Sequence, residues 1–88
     1  MTYSVDFSKV ARKLFNKLPS DVQERIETKI NNLAIEPRPN GVKKIQGEEN
    51  SYRIRVGDYR VVYEIFDDIL LVTVIRVKHR SQVNQDNS

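Results

Sequence analysis

The sequence predicts an α+β domain in which an N-terminal strand and a helical hairpin pack on one face of an antiparallel sheet of three to four strands. Three observations predict it. Apolar and polar residues alternate at the start of the chain, apolar residues recur at helical spacing between Val10 and Leu33, and strand periodicity returns after Gly41.

Tyr3, Val5 and Phe7 alternate with polar neighbours, as in a short strand with one buried face. Ser8 stands where an N-cap belongs. Behind it Val10, Ala11, Leu14, Phe15 and Leu18 form one apolar stripe that leaves the basic residues facing out. Pro19 stops this helix. Ser20 and Gln23 have the spacing of a capping box, and Val22, Ile26, Ile30 and Leu33 carry a second amphipathic helix to about Ile35. "EPRPNG" ends it, because Pro37 and Pro39 cannot continue a helix and Asn40-Gly41 is a turn sequence. The strands are "VKKIQ", "SYRIRV", "DYRVVYEIF" and "ILLVTVIRV", broken at "GEEN", Gly57-Asp58 and Asp67-Asp68. The last is nearly all apolar, as a central strand would be.

A chain of 88 residues allows one domain over 1–88, with residues 84–88 as an unstructured tail that has nothing to bury. No cysteine and a single histidine exclude a disulfide framework, thiolate chemistry and a protein-only zinc site, so neither cofactor nor metal is expected. The N-terminus has no secretory pattern and no apolar run reaches the length of a membrane span, which predicts a cytoplasmic protein without membrane contact. The net charge of +3 is a mild basic bias. Its distribution is uneven: Lys9, Arg12, Lys13 and Lys17 fall in a stretch without an acidic residue, while acids gather at Asp21–Glu27, Glu48-Glu49 and Asp67-Asp68.

Within "YRIRVGDYR", a two-residue loop at Gly57-Asp58 sets Arg55 opposite Arg60. Alternation then puts Tyr52, Ile54, Val56, Tyr59, Val61 and Tyr63 in the core, and Arg53, Arg55 and Arg60 on the other face. Like charges directly opposite on a sheet are destabilising by a few tenths to ~1 kcal/mol. Guanidinium forks match phosphate oxygens two at a time, so the expected ligand of three converging arginines is a phosphodiester; a solvated face is the alternative. A tight turn at Asp67-Asp68 would further place Ile75 beside Arg60 and Leu71 beside Glu64, apolar neighbours for a partner protein or the C-terminal residues to cover.

The opening "YSVDFSKVARKLFNKL", the segment "IEPRPNGVKKIQG", the hairpin "YRIRVGDYRVVYEI" and the terminal "VIRVKHRSQV" together resemble the RelE/ParE superfamily of type II toxins, and within it the RelE branch. The resemblance implies a RelE-like fold and a metal-independent mRNA interferase: an endoribonuclease that cuts mRNA in the ribosomal A site through attack of the 2′-hydroxyl on the adjacent phosphate. It also implies neutralisation by a RelB-like antitoxin, with operator DNA contacted only through the antitoxin complex.

By position in the family pattern, Arg53 and Arg55 stand where active members often carry lysines, Arg60 matches the arginine on the scissile phosphate, and Arg80 matches the C-terminal arginine. Arg53 cannot act as a base near neutrality and is assigned to charge stabilisation. The family motif tends to end in Val-Tyr, where this chain has Val83-Asn84. His79 is therefore the candidate acid or base, with a half-exposed strand-end residue as the alternative. Lys43, Lys44, Arg12, Lys13 and Lys17 are candidate contacts to the rRNA or mRNA backbone, a solvated helix face being the alternative for the last three. Two other functions stay open: a ParE-like inhibitor of DNA gyrase without nuclease activity, and a weakened toxin acting mainly as antitoxin partner and co-repressor.

Overall fold

The two periodicities of the chain become seven elements: β1 (Ser4–Phe7), α1 (Lys9–Asn16), α2 (Ser20–Leu33), β2 (Lys43–Lys44), β3 (Ser51–Val56), β4 (Tyr59–Phe66) and β5 (Leu71–His79). The computed structural model describes residues 2–81, so the expectations for Val83, Asn84 and the tail lie outside the described residues. The class is the predicted α+β, but the sheet is five-stranded and mixed, in the order β1-β5-β4-β3-β2. Instead of lying on the sheet, β1 joins its edge, pairing in parallel with β5 from Ser4↔Leu71 to Phe7↔Val74. The apolar first half of β5, residues 71–74, is thereby flanked by β1 and β4, and its backbone groups are not left on an edge.

Both helices cover one face. Ala11 and Phe15 of α1 and Ile26, Ile30 and Leu33 of α2 form a single core with Ile54, Val61, Tyr63, Ile65, Val72, Val74 and Val77. Ser8 caps α1 as expected, its hydroxyl accepting from the Ala11 amide at 3.1 Å. Val10 is 57% exposed, outside the stripe assigned to it, because the face that α1 buries runs along Ala11 and Phe15, one turn apart. The capping box does not form. Pro19 is the N-cap of α2 and Ser20 its first residue. Gln23 instead donates to the carbonyls of Phe15, Asn16 and Leu18 at 3.0–3.4 Å, satisfying the open end of α1. The second helix ends at Leu33, before Ile35, which is 70% exposed.

The turn after β4 is longer than a two-residue hairpin: it runs from Asp67 to Leu70, whose φ is +51°. The β4–β5 pairing then changes step between Val62 and Tyr63, leaving Ile75 as the extra residue of a bulge. These two features overturn the expected neighbours. Lys78, not Ile75, lies opposite Arg60, and Thr73, not Leu71, lies opposite Glu64.

A polar cluster ties the loop after α2 to the far end of the sheet. The Arg38 guanidinium donates to both Asp67 carboxylate oxygens at 2.8 and 3.3 Å and to the Tyr52 hydroxyl at 3.2 Å, and the Tyr3 hydroxyl also donates to Asp67. Beneath it the Tyr63 hydroxyl donates to the Pro37 carbonyl at 2.8 Å, and burial raises the Tyr63 phenol above its ordinary value. The bonds from Arg38, then that from Tyr3, hold the Asp67 carboxyl below its ordinary value. A carboxyl depressed in the folded state contributes stability above its unfolded pKa and loses it as pH falls through the folded value. The melting temperature of the wild type should therefore fall more steeply on acidification below about pH 4 than that of Asp67→Asn. Parallel curves would mean that the cluster does not hold the loop.

Candidate anion-binding face

Gly57 sets the geometry of the site. It sits at φ +59°, in the left-handed region, and an added Cβ would meet Nη1 of Arg25 at 3.3 Å. The two-residue loop aligns β3 and β4 with Arg55 opposite Arg60 and Tyr52 opposite Tyr63, the register expected from the sequence. Ile54, Val61 and Tyr63 thus enter the helix-covered core, with Tyr52, Val56 and Tyr59 packed against it. Arg53, Arg55 and Arg60 occupy the open face.

On that face Gly41, Lys43, Arg53, Arg55 and Arg60 line a concavity of about 210 Å³. Lys43 arrives through β2, where it opposes Arg53. The Arg55 Nε donates to the Gly57 carbonyl at 3.1 Å, which folds its guanidinium back toward the turn. Arg60 is half-buried, and its Nη1 is a buried donor with no hydrogen-bond partner among the described residues. Among the described residues, no ion pair involves Lys43, Arg53, Arg55 or Arg60. Buried charged donors are ordinarily satisfied, because an unmet one costs about 1–3 kcal/mol or more. An anion in this concavity would meet the Arg60 side chain and the surrounding charge together.

The other predicted residues go elsewhere. Lys44 opposes Tyr52 and so belongs to the opposite side of the sheet from Lys43. Arg12 lies over the Phe7 ring at 4.0 Å in the helical layer, where Lys13 and Lys17 are exposed. His79 opposes Tyr59 and meets its ring edge-on at 5.2 Å. It lines a second depression, of about 290 Å³, with Asp21, Arg25 and Asp58 on the helix side, and is not brought to the arginines. The Arg80 amide donates to the Asp58 carbonyl at 2.7 Å, and its exposed guanidinium lies 4.0 Å from the Asp58 carboxylate, outside the lining of the concavity.

Two cations on the open face were missed by sequence reasoning: Arg76, opposite Val62, and Lys78, opposite Arg60. The signal was the alternation Arg76-Val77-Lys78, but the apolar run before it gives no sign of the bulge that sets its face. Among the described residues, no group of three His, Cys, Asp or Glu side chains is placed to hold a metal, and no helix is long and apolar enough to cross a membrane.

A helix pair covers one side of a mixed sheet, and an arginine-lined concavity opens on the other. A sequence model of the family described as the ParE toxin of the type II toxin–antitoxin system parDE matches residues 2–84. The chain is 34% identical to the mRNA interferase toxin RelE of Escherichia coli K12 over 87 residues, covering 94% of this chain and 90% of that protein. It is 33% identical to toxin RelE3 of Methanocaldococcus jannaschii over 81 residues, covering 88% of this chain and 90% of that protein. Among solved structures it resembles the archaeal RelE–RelB complex of Pyrococcus horikoshii OT3, with a TM-score of 0.82 at 31% identity over 93% of this chain and 99% of that one. It also resembles the intact E. coli RelBE toxin–antitoxin complex, with a TM-score of 0.79 at 33% identity over 88% of this chain and 95% of that one. The chain belongs to the RelE/ParE superfamily of type II toxins.

Arg60→Ala removes a buried donor that is unsatisfied among the described residues and relieves its opposition to two cations, Arg55 and Lys78. Its urea midpoint should equal that of the wild type or exceed it by up to ~1 kcal/mol of stability. Inorganic phosphate should raise the melting temperature of the wild type and not that of the variant. A clear loss of stability would mean that Arg60 is structural.

Proposed function

We propose that this toxin is a ribosome-dependent endoribonuclease that cleaves mRNA in the A site and so halts translation. The observation that carries this reading is that Arg60, whose buried Nη1 has no hydrogen-bond partner among the described residues, lines a concavity with three further cations. That relatives of this chain are named mRNA interferases supports it. The 2′-oxygen attacks the adjacent phosphorus, the bond from phosphorus to the 5′-oxygen breaks, and a 2′,3′-cyclic phosphate and a 5′-hydroxyl result. Arg60 holds the non-bridging oxygens, and Arg53 and Arg55 add charge that counts most as the phosphorane forms.

Arginine does not give up its proton near neutrality, so proton transfer falls to other groups. Among the described residues that line the concavity, Lys43 alone has a proton to give, and it serves as acid toward the leaving 5′-oxygen. The 2′-hydroxyl proton leaves to water or to RNA in the A site. His79, on the helix side, takes no direct part. The partners in this reading are the ribosome with its mRNA, and a RelB-like antitoxin, as in the complexes of the structural relatives. A second reading, inhibition of DNA gyrase without nuclease activity, is favoured by the ParE description of the matching family.

Primer extension on a reporter mRNA in reconstituted translation separates the two. In-frame cuts should appear only with ribosomes. Arg60→Ala should lower the rate by about 100-fold or more. Lys43→Arg, which keeps the charge but does not release a proton near neutrality, should lower the rate at saturating toxin by about 100-fold without weakening binding. Intact mRNA together with arrested gyrase supercoiling would favour the second reading.

A further inference from the structure

The bulge in β5 decides which way its last residues face. From Phe66↔Leu71 to Tyr63↔Val74 the pairing follows one register; from Val62↔Arg76 to Tyr59↔His79 it is one residue out of step. Had the first register continued, Arg76 would oppose Val61 and Lys78 would oppose Tyr59, both on the core face. Insertion of Ile75 turns Arg76 and Lys78 to the open face and keeps Val77, 5% exposed, in the core.

The result is two rows of cations across the sheet. One is Arg55, Arg60 and Lys78 on β3, β4 and β5; the other is Lys43, Arg53 and Arg76 on β2, β3 and β5, with Val62 between the last two. Strands lie ~4.8 Å apart, so the longer row spans about 14 Å, more than one phosphate requires. Like charges stand directly opposite at Lys43/Arg53, Arg55/Arg60 and Arg60/Lys78, an arrangement that a sheet facing only water would be more stable without. The charge also has an edge: the next row, Ser51, Glu64, Thr73 and Asp6, turns acidic. The concavity lies on the β2 side of Arg60, and Arg76 and Lys78 lie on its β5 side.

We infer that Arg76 and Lys78 form a second phosphate subsite, which holds one RNA backbone phosphodiester on the β5 side of the scissile one. This rests on the reading that Arg60 holds the scissile phosphate. Arg76 and Lys78 are positioning residues: they fix the path of the backbone and touch no reacting atom. The phosphate belongs either to the mRNA or to ribosomal RNA in the A site, and the chemistry is the same for both.

Single-turnover cleavage on programmed ribosomes tests it, with toxin concentration and salt varied. The double variant Arg76→Gln/Lys78→Gln should raise the half-saturating toxin concentration about 10-fold, leave the plateau rate within about threefold, and reduce the salt slope by about 0.7, for one phosphate of a single strand. Arg76→Lys/Lys78→Arg should restore the half-saturation and the salt slope, which a merely structural role would not predict. A methylphosphonate at the neighbouring mRNA phosphate that weakens the wild type but not the double variant assigns the phosphate to mRNA; equal weakening of both assigns it to ribosomal RNA. A double variant with wild-type half-saturation and salt slope, while Arg60→Ala is inactive, overturns the subsite and leaves the nuclease reading standing. Absence of cleavage by the wild type overturns that reading and the subsite with it.

Discussion

The register of β4 is the constraint on which the molecule depends. This strand is paired on both sides, and its odd-numbered residues Val61, Tyr63 and Ile65 are almost wholly buried beneath the helices while Arg60 and Glu64 stand on the other face. A slip of one residue would expose that apolar set and press a guanidinium into the core, at a cost of several kcal/mol. Gly57 fixes the register on one side and the β5 bulge adjusts it on the other. Core and cationic face are two consequences of one alternation.

The open face runs against what stability alone would select. Opposed like charges and a buried donor without a partner each destabilise the free protein, and such features concentrate where a ligand supplies the missing interaction. Concentrated positive potential also accelerates encounter with a polyanion and makes binding sensitive to salt. These properties suit a toxin whose proposed target is RNA.

Much of this was legible in the sequence because it follows from short-range rules. Ser8 as a cap, the two-residue Gly57-Asp58 loop and the Arg55–Arg60 pair all depend on neighbours within a few residues. What was not legible depends on distant contacts. The parallel addition of β1 to β5 is a choice between sheet edges that alternation cannot express. The bulge at Ile75 lies in a run of β-branched and apolar residues that fit either face, and with it went the placement of Arg76, Lys78 and His79. Gln23 fell between these cases: its spacing from Ser20 suggested a local cap, whereas its amide reaches the preceding helix.

The claim at the centre of this account is that the open face, not the helix side, receives the RNA phosphate. Nuclear magnetic resonance of the 15N-labelled chain, including its arginine side-chain Nε–H groups, titrated with a non-cleavable 2′-deoxy oligonucleotide, tests it most directly. Saturable shifts are expected at Arg53, Arg55 and Arg60, with Arg12 and the backbone around Asp21 and Arg25 unmoved. Shifts confined to the helix layer and the depression beside His79, with the open face silent, would contradict it.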